Sequence, residues 1–295
     1  MNHDPHAPRR YARVLSIAGS DSGGGAGIQA DLKTIAALGG YGMTAITAIT
    51  VQNTVGVRAI QALPPELLAQ QIDAVAEDIG VDALKIGMLH DAAVVRAVAA
   101  AIRRHGFDKV VLDPVMVATS GDKLIHPDTM AVLIAELFPL ATLITPNLDE
   151  AGWLIGRPIA NAGELDAAAR ELLALGARAV LLKGGHLPGD ELVDLLLAPP
   201  AAPRRFSDRR IATRNTHGTG CTLSSAIACG LAQGASLADA VAAARAYVRG
   251  ALQAGADVTT GRGHGPLNHG FAPQPARLFG PGQGSVCSAI YPTGS

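Results

Sequence analysis

Short, continuously apolar runs alternate with Ala-rich amphipathic segments through the first two thirds of the chain. Uninterrupted apolar runs are typical of parallel strands that are buried on both faces. We place strands at 14–18, 43–51, 83–88, 109–114, 142–145 and 179–183, and helices at 26–38, 65–79, 92–105, 127–137, 148–155 and 164–175. This order predicts an α/β fold, with a mostly parallel sheet between two layers of helices.

The pattern changes after Gly184. Segments 192–197 and 206–212 indicate two antiparallel strands at an edge of the sheet, and helices follow at 218–231 and 237–252. The chain shows no internal repeat, and its last residues are rich in Gly, Pro and Ser. We therefore expect one domain over residues 13–279, with flexible tails at 1–12 and 280–295.

Composition excludes several classes of protein. A net charge of −1 and an aromatic content of 3% provide neither the basic surface nor the stacking residues of a nucleic-acid-binding protein. No apolar run is long enough to span a bilayer, and the first residues do not resemble a signal peptide. The three cysteines, Cys221, Cys229 and Cys287, form no C-x-x-C pair and fit a reducing compartment. We expect a cytoplasmic protein with neither nucleic-acid nor membrane partners.

The residues that follow the predicted strands are rich in glycine, amide and carboxylate groups. They are 19–25, 52–54, 87–89, 113–116, 146–150 and 184–186. Ligands of open α/β sheets bind beyond the carboxyl ends of the strands, so these residues are predicted to form a polar ligand site.

The segment Asn215–Ser224 leads from a glycine-rich turn directly into a predicted helix. The first N–H groups of a helix have no intrahelical partner, and the helix dipole adds positive potential, so this start favours an anion such as phosphate. Gly218 and Gly220 allow close approach of the backbone, and Cys221 lies in the first turn, where we expect its thiol pKa to fall. The combination suggests phosphoryl transfer; the alternative is a plain glycine turn at a packed helix.

A second glycine-rich loop, residues 19–27, also opens a helix. It matches neither the P-loop nor the dinucleotide-binding pattern, because Gly23, Gly25 and Gly27 are spaced G-x-G-x-G. The glycines are more consistent with close approach of a small substrate. Asp31 either hydrogen-bonds that substrate or lies on the helix surface.

Charged residues at the ends of three other strands suggest a phosphate site with a metal ion. Asp113 ends a very apolar strand, where a carboxylate favours a metal or phosphate role. Asn147 and Glu150 either hold a hydrated Mg²⁺ or form a helix capping box. Lys183 meets a nucleotide phosphate as a point charge or is a buried structural lysine.

The remaining candidates are weaker when taken singly. The amide of Gln52 suits the edge of an aminopyrimidine or pyridine, and Met88 either packs on a flat ring or belongs to the core. His217 lies near the site or is a turn residue. His264 and His269 line a nucleotide pocket or lie on the surface.

Taken together, these motifs carry a resemblance that none carries alone. They are AGSDSGGGAGIQAD at 18–31, TAITVQNT at 47–54, KIGML at 85–89, LDPVM at 112–116, ITPNLDEA at 144–151, KGGH at 183–186 and NTHGTGCT at 215–222. From residue 13 to residue 269 the chain resembles the hydroxymethylpyrimidine/phosphomethylpyrimidine kinases of thiamine biosynthesis, in the ribokinase-like superfamily. One departure is the third consecutive glycine, Gly25, together with Ser22 where proline is expected.

The resemblance implies a three-layer α/β/α sandwich, a homodimer, and two successive ATP-dependent phosphorylations of 4-amino-5-hydroxymethyl-2-methylpyrimidine. The site residues that it implies are Gly19, Asp31, Gln52, Met88 and Val115 for the pyrimidine, Gly218, Gly220 and Cys221 for the anion hole, Lys183, Asp113 and Thr219 for the nucleotide, and Asp113 and Glu150 for Mg²⁺. Cys221 stands where sugar-kinase relatives carry an aspartate base.

The first phosphorylation must deprotonate an alcohol, whereas the second begins from a phosphate that is already anionic. With Cys221 as a thiolate base, Cys221→Ala is therefore expected to harm the first transfer much more than the second. Two alternatives remain open at this point. One is a pyridoxal kinase of the same superfamily, and the other is a non-catalytic pyrimidine-binding protein on the same fold.

Overall fold

A computed structural model describes residues 9–116, 128–185, 187 and 189–280 of the chain. The strands are β1 Arg10–Tyr11, β2 Arg13–Asp21, β3 Tyr41–Asn53, β4 Gly56–Ala62, β5 Ala83–Ile86, β6 Val110–Leu112, β7 Leu143–Ile144, β8 Val180–Leu182, β9 Glu191–Leu197, β10 Arg204–Arg209 and β11 Leu278–Phe279. The α-helices are α1 Gly27–Ala37, α2 Pro65–Asp78, α3 Ala92–His105, α4 Thr129–Glu136, α5 Leu148–Ile155, α6 Leu165–Ala174, α7 Thr219–Ala232 and α8 Leu237–Ala254.

Nine of these strands form one sheet in the order β10-β9-β8-β7-β6-β5-β2-β3-β4. The six strands from β8 to β3 are parallel, while β4, β9 and β10 pair antiparallel at the two edges. The predicted order of strands and helices is therefore confirmed, including the antiparallel pair near residues 192–212.

Neighbouring strand residues contribute to two separate cores. Leu15, Leu84 and Leu112 pack with helices α2–α6, whereas Val14 and Val111 pack with α1, α7 and α8 on the opposite face. Because both faces are covered, the parallel strands are mostly apolar, as their sequences indicate, with buried polar exceptions such as Ser16 and Lys85. The structure is thus the expected three-layer α/β/α sandwich.

Two elements differ from the sequence prediction. Strand β4 was not predicted, because as an edge strand it exposes part of its length, including Arg58 and Gln61. The expected N-terminal tail is wrong for its last residues, since β1 pairs antiparallel with β11 in a small second sheet. Residues 1–8 and 281–295 of the expected tails, the helix start predicted at residue 127, His186 and Cys287 lie outside the described residues. In the part of the chain that is described, no helix is both long and apolar enough to cross a bilayer.

Candidate active site

A cleft of about 720 Å³ opens beyond the carboxyl ends of the parallel strands. The loops after β2, β3, β5, β6 and β8 border one side of it, and the start of α7 borders the other. Of the residues predicted for the site, those that line the cleft are Gly19, Gln52, Met88, Asp113, Val115, Glu150, Lys183, Gly218, Thr219, Gly220 and Cys221. The fold thus assembles at one place nearly all the side chains that the motifs singled out.

Helix α7 begins at this cleft without a side-chain cap. Its N-cap residue, Gly218, has φ = 83°, and a Cβ there would overlap the carbonyl oxygen of Gly25. The two glycine turns therefore pack backbone against backbone, which a larger residue at position 218 would prevent. The N–H groups of the first helical turn and the helix dipole point at the cleft end of α7, which is the arrangement that favours an anion.

Asp21 fastens these two turns together, a role that the sequence analysis did not assign. Its carboxylate accepts backbone N–H groups from Gly23, Gly25 and Ala26 at 2.8–3.0 Å. The ring of His217 lies 2.9 Å from the same carboxylate and is buried. Burial alone would raise the pKa of Asp21, but His217 and the loop N–H groups outweigh burial and lower it. His217 therefore holds the glycine-rich loop at residues 19–27 through Asp21.

The structure overturns the expected acidity of Cys221. Burial raises the pKa of its thiol to about 11, and the carboxylates of Asp31 and Asp113 add to the effect. Lys85 and the backbone of Gly27 lower the pKa of the thiol, but their effect is smaller than the rise caused by burial and the carboxylates. Helix-dipole reasoning considers only the local turn, whereas the surrounding protein determines the result. The thiol is thus protonated near neutral pH.

Asp31 is also corrected. Its side chain has no exposed surface and is not among the residues that line the cleft, which does not fit the expected direct contact with the pyrimidine. One carboxylate oxygen lies 2.8 Å from Lys85 Nζ and accepts the Ser16 hydroxyl at 2.5 Å, while the other accepts Ser225 at 2.7 Å. The carboxylate therefore lies behind the wall of the cleft, where three protein groups hold it.

Gly19, Met88 and Val115 meet in one part of the cleft lining, the ring pocket. Met88 is buried against Ala48 and packs with Val115, and a Cβ at Gly19 would lie 2.5 Å from the Met88 methyl. The carboxamide of Gln52 accepts the Thr50 hydroxyl at 3.1 Å, which orients it at the rim of this pocket. The four predicted pyrimidine residues other than Asp31 therefore share one pocket.

Charged groups meet midway along the cleft. Lys183 Nζ lies 2.9 Å from Asp113 and 4.0 Å from Glu150, and Asp113 also accepts the Thr145 hydroxyl at 3.0 Å. Burial by itself would lower the pKa of Lys183, but the two carboxylates raise it, so the lysine remains charged. A Cβ added to Gly220 would lie 3.2 Å from Asp113 and 3.3 Å from Lys183, so this cluster adjoins the start of α7.

Asn147 and Glu150 form the capping box of α5. The Asn147 side chain accepts the Glu150 N–H at 2.9 Å, and Glu150 accepts the Asn147 N–H at 2.8 Å. Burial, and then the charge of Asp113, raise the pKa of Glu150 to about 7 despite the opposing effect of Lys183. The capping alternative is therefore confirmed, and the same carboxylate faces the charged cluster.

The donor set is compatible with Mg²⁺ held largely by substrate phosphates. No group of three His, Cys, Asp or Glu residues that could hold a metal occurs among the described residues. Mg²⁺ usually keeps several waters and needs only one or two protein carboxylates beside the phosphates. Asp113 and Glu150 supply two carboxylates in mutual repulsion, which a cation would relieve.

A further set of lining residues was not predicted from the sequence. It comprises Trp153, Leu192, Ile211, Val248 and Leu252, together with arginines 210, 245 and 249 and aspartates 194 and 208. In the sequence these residues belong to ordinary amphipathic segments, so no local signal separates them from core positions. Of the histidines left open, His269 is buried against Thr222 and His264 is exposed, and neither lines the cleft.

Comparison with known proteins decides the family. The model of the phosphomethylpyrimidine kinase family matches residues 21–268. The chain belongs to this family. A hydroxymethylpyrimidine/phosphomethylpyrimidine kinase of Rhizobium meliloti is 53% identical over 259 residues, which are 88% of this chain and 97% of the relative. The sequence resemblance to these kinases is thereby confirmed.

Solved structures place this kinase in the same fold. A phosphomethylpyrimidine kinase of Clostridium difficile is 42% identical, covers 80% of this chain and 97% of its own, and superposes with a TM-score of 0.72. A pyridoxal kinase of Bacillus subtilis, solved as an ADP complex, is 36% identical, covers 89% and 98%, and superposes with a TM-score of 0.82. Backbone similarity therefore does not separate the two kinase activities, whereas sequence identity favours the pyrimidine kinases.

Proposed function

We propose that this kinase transfers the γ-phosphoryl group of ATP to 4-amino-5-hydroxymethyl-2-methylpyrimidine, and then a second phosphoryl group to the monophosphate. The observation that carries the proposal is the arrangement of the cleft. The ring pocket and the start of α7 line the same cleft, and that helix start adjoins Lys183 and Asp113. The names of the 53%-identical relative and of the family support the same pair of reactions.

Each group has a role that follows from its place in the cleft. Gln52, Met88 and Val115 orient the pyrimidine, while Gly19 leaves room for the Met88 methyl. The acceptor oxygen then lies toward the start of α7, where the N–H groups of Gly220 and Cys221 receive the transferred phosphoryl group. Thr219 borders the same turn from the nucleotide side, its hydroxyl donating to the Thr216 carbonyl at 2.7 Å.

Lys183 neutralises phosphate charge in this scheme, and Asp113 and Glu150 would hold Mg²⁺. When bound, the ion supplies charge neutralisation and orientation of the ATP phosphates. Asp113 meanwhile keeps the Lys183 ammonium beside the first turn of α7.

Cys221 acts in this scheme as part of the anion hole rather than as a thiolate. A thiol whose pKa is about 11 is protonated at neutral pH and offers a weak S–H donor. Phosphoryl transfer relies on positioning and charge neutralisation more than on a strong base, so a protonated thiol is compatible with both transfers. This role differs from that of the thiolate base suggested by the sequence.

We also propose a homodimer, as the resemblance implies. The β3–β4 hairpin exposes three large apolar side chains, Ile49, Val51 and Val55, which are 49%, 53% and 62% exposed. Contiguous apolar side chains at a sheet edge are typical of a surface that a second copy covers. Light scattering after gel filtration should give twice the 30.1 kDa chain mass. An Ile49→Lys/Val51→Lys variant should give the single mass, and a wild-type monomer would refute the proposal.

A pyridoxal kinase activity is the second candidate, because the B. subtilis pyridoxal kinase has the same fold at 36% identity. Purified protein should be assayed for ATP consumption with hydroxymethylpyrimidine, its monophosphate and pyridoxal in parallel, with Mg²⁺ present. Turnover of the monophosphate is the expected result, because salvage of pyridoxal requires no second transfer. Turnover of pyridoxal alone would overturn the proposal in favour of the second candidate. Binding without turnover of any of the three would favour a non-catalytic protein.

A further inference from the structure

A fully buried ion pair lies directly behind the reaction centre, and the proposed mechanism does not use it. Lys85 of β5 and Asp31 of α1 are 2.8 Å apart, and neither side chain has any exposed surface. Ser16 and Ser225 complete the shell of Asp31, so the carboxylate is anchored from β2 and from α7. Four elements of the fold therefore converge on one charged pair.

Stability alone does not account for this pair. Transferring two charges out of water costs several kcal/mol per ion, and well-packed apolar replacements are often equally stable. Here the ammonium sits where space is restricted, since a Cβ at Gly87 would lie 2.7 Å from Lys85 Nζ. Asp31 and the neighbouring Cys221 and Asp113 together hold the pKa of Lys85 above its usual range against burial, so the charge is permanent.

We propose that Lys85 is a positioning residue of the phosphoryl-transfer centre: its ammonium maintains positive potential behind Cys221 and the start of α7, and Asp31 fixes it there. The proposal rests on the proposed function of this site and adds a source of potential that lies outside substrate contact. The asymmetry of the pair is what makes it effective. Three hydrogen bonds occupy Asp31, whereas Lys85 lies in the wall of the cleft, beneath its exposed surface.

The pKa of the Cys221 thiol reports the electrostatic potential at the start of α7, because charged groups on three elements shift it. Lys85 on β5 lowers the thiol pKa, while Asp31 on α1 and Asp113 after β6 raise it, and the Gly27 backbone at the start of α1 lowers it. Burial affects the thiol in every variant alike. Removing the charge of Asp31 should therefore lower the thiol pKa, and removing that of Lys85 should raise it. Loss of packing alone would not produce opposite shifts.

The test compares Asp31→Asn with the double variant Asp31→Asn/Lys85→Met. Alkylation of Cys221 by iodoacetamide is followed from pH 7 to pH 10 by mass spectrometry of its peptide, and kcat is measured for both transfers. At a given pH, we expect Cys221 in D31N to be alkylated faster than in the wild type. In the double variant, we expect alkylation to be roughly tenfold slower than in D31N, because a rise of one unit in the thiol pKa lowers the thiolate fraction tenfold. The kcat of the double variant should fall by a similar factor relative to D31N for both acceptors.

Ser225→Ala is the matched control, because it loosens Asp31 by one hydrogen bond and keeps both charges. It should alkylate at the wild-type rate. Equal alkylation rates in D31N and the double variant would overturn the proposal, as would a wild-type kcat in the folded double variant. If the double variant does not fold, a D31N rate equal to that of S225A overturns it. The alkylation readout needs no substrate, so it can fail or succeed independently of the proposed reaction.

Discussion

Replacing Gly19 by alanine tests the assignment of the ring pocket most directly. The added methyl would lie 2.5 Å from the Met88 methyl and 3.5 Å from the Ala48 carbonyl oxygen. The second distance is an ordinary contact, so the conflict is with Met88 alone. To regain a normal separation, the Met88 methyl must move by roughly 1–1.5 Å. Met88 is packed against Ala48 and Val115, which leaves the cleft as the open direction.

Overpacking of this kind costs roughly 1–3 kcal/mol, and here we expect most of the cost to appear in substrate binding. That range corresponds to a rise of about 5- to 150-fold in KM for the pyrimidine. KM for ATP should remain within twofold of the wild type, because neither Gly19 nor Met88 belongs to the proposed nucleotide site. Steady-state kinetics with each substrate varied in turn measures both constants.

A double-mutant cycle with Met88→Ala shows whether the two side chains act on each other. Shortening Met88 removes the atom that the new methyl would strike, so adding G19A to M88A should cost much less than adding it to the wild type. Gly270→Ala is the matched control, since a Cβ there would meet nothing within 4 Å. Equal rises in both KM values, or strictly additive effects of G19A and M88A, would refute this reasoning.

Three further predictions concern the charged groups. Cys221→Ala should reduce kcat of both transfers by a similar factor, roughly tenfold, because the thiol is protonated; a loss confined to the first transfer would instead support a thiolate base. Lys183→Met should lower kcat about 100-fold for both acceptors, since Asp113 and Glu150 would lose their counter-charge, with Lys183→Arg as the charge-retaining control. For Glu150, whose pKa is raised to about 7 in the folded protein, the folded state binds the extra proton, and stability is lost as pH rises from about 4.5 through 7. Glu150→Gln keeps the capping box and should therefore raise Tm by roughly 2–8 °C at pH 8, with the two curves converging near pH 4; equal differences at both pH values would contradict the shift.

The order of strands and helices was readable from the sequence because both faces of the parallel strands are covered. A strand such as Val110–Leu112 then has no polar position, and its boundaries are visible as polar residues on either side. The glycine motifs were equally readable, because a backbone contact such as that of Gly218 against Gly25 excludes every other residue type. Edge strand β4 was missed because half-exposed residues give no continuous apolar run.

The sequence by itself thus determined the α/β architecture, the place of the cleft and the side chains of its motifs. Only the tertiary structure decided how those side chains act. Asp31 turned out to pair with Lys85, 54 positions away in the chain, and Cys221 turned out to lie among carboxylates and buried protein that raise its pKa. Periodicity and motif spacing report backbone conformation, which is set by neighbours in the chain. Burial and charge at one atom are set by residues from several elements, and their sum is known only when the fold brings them together.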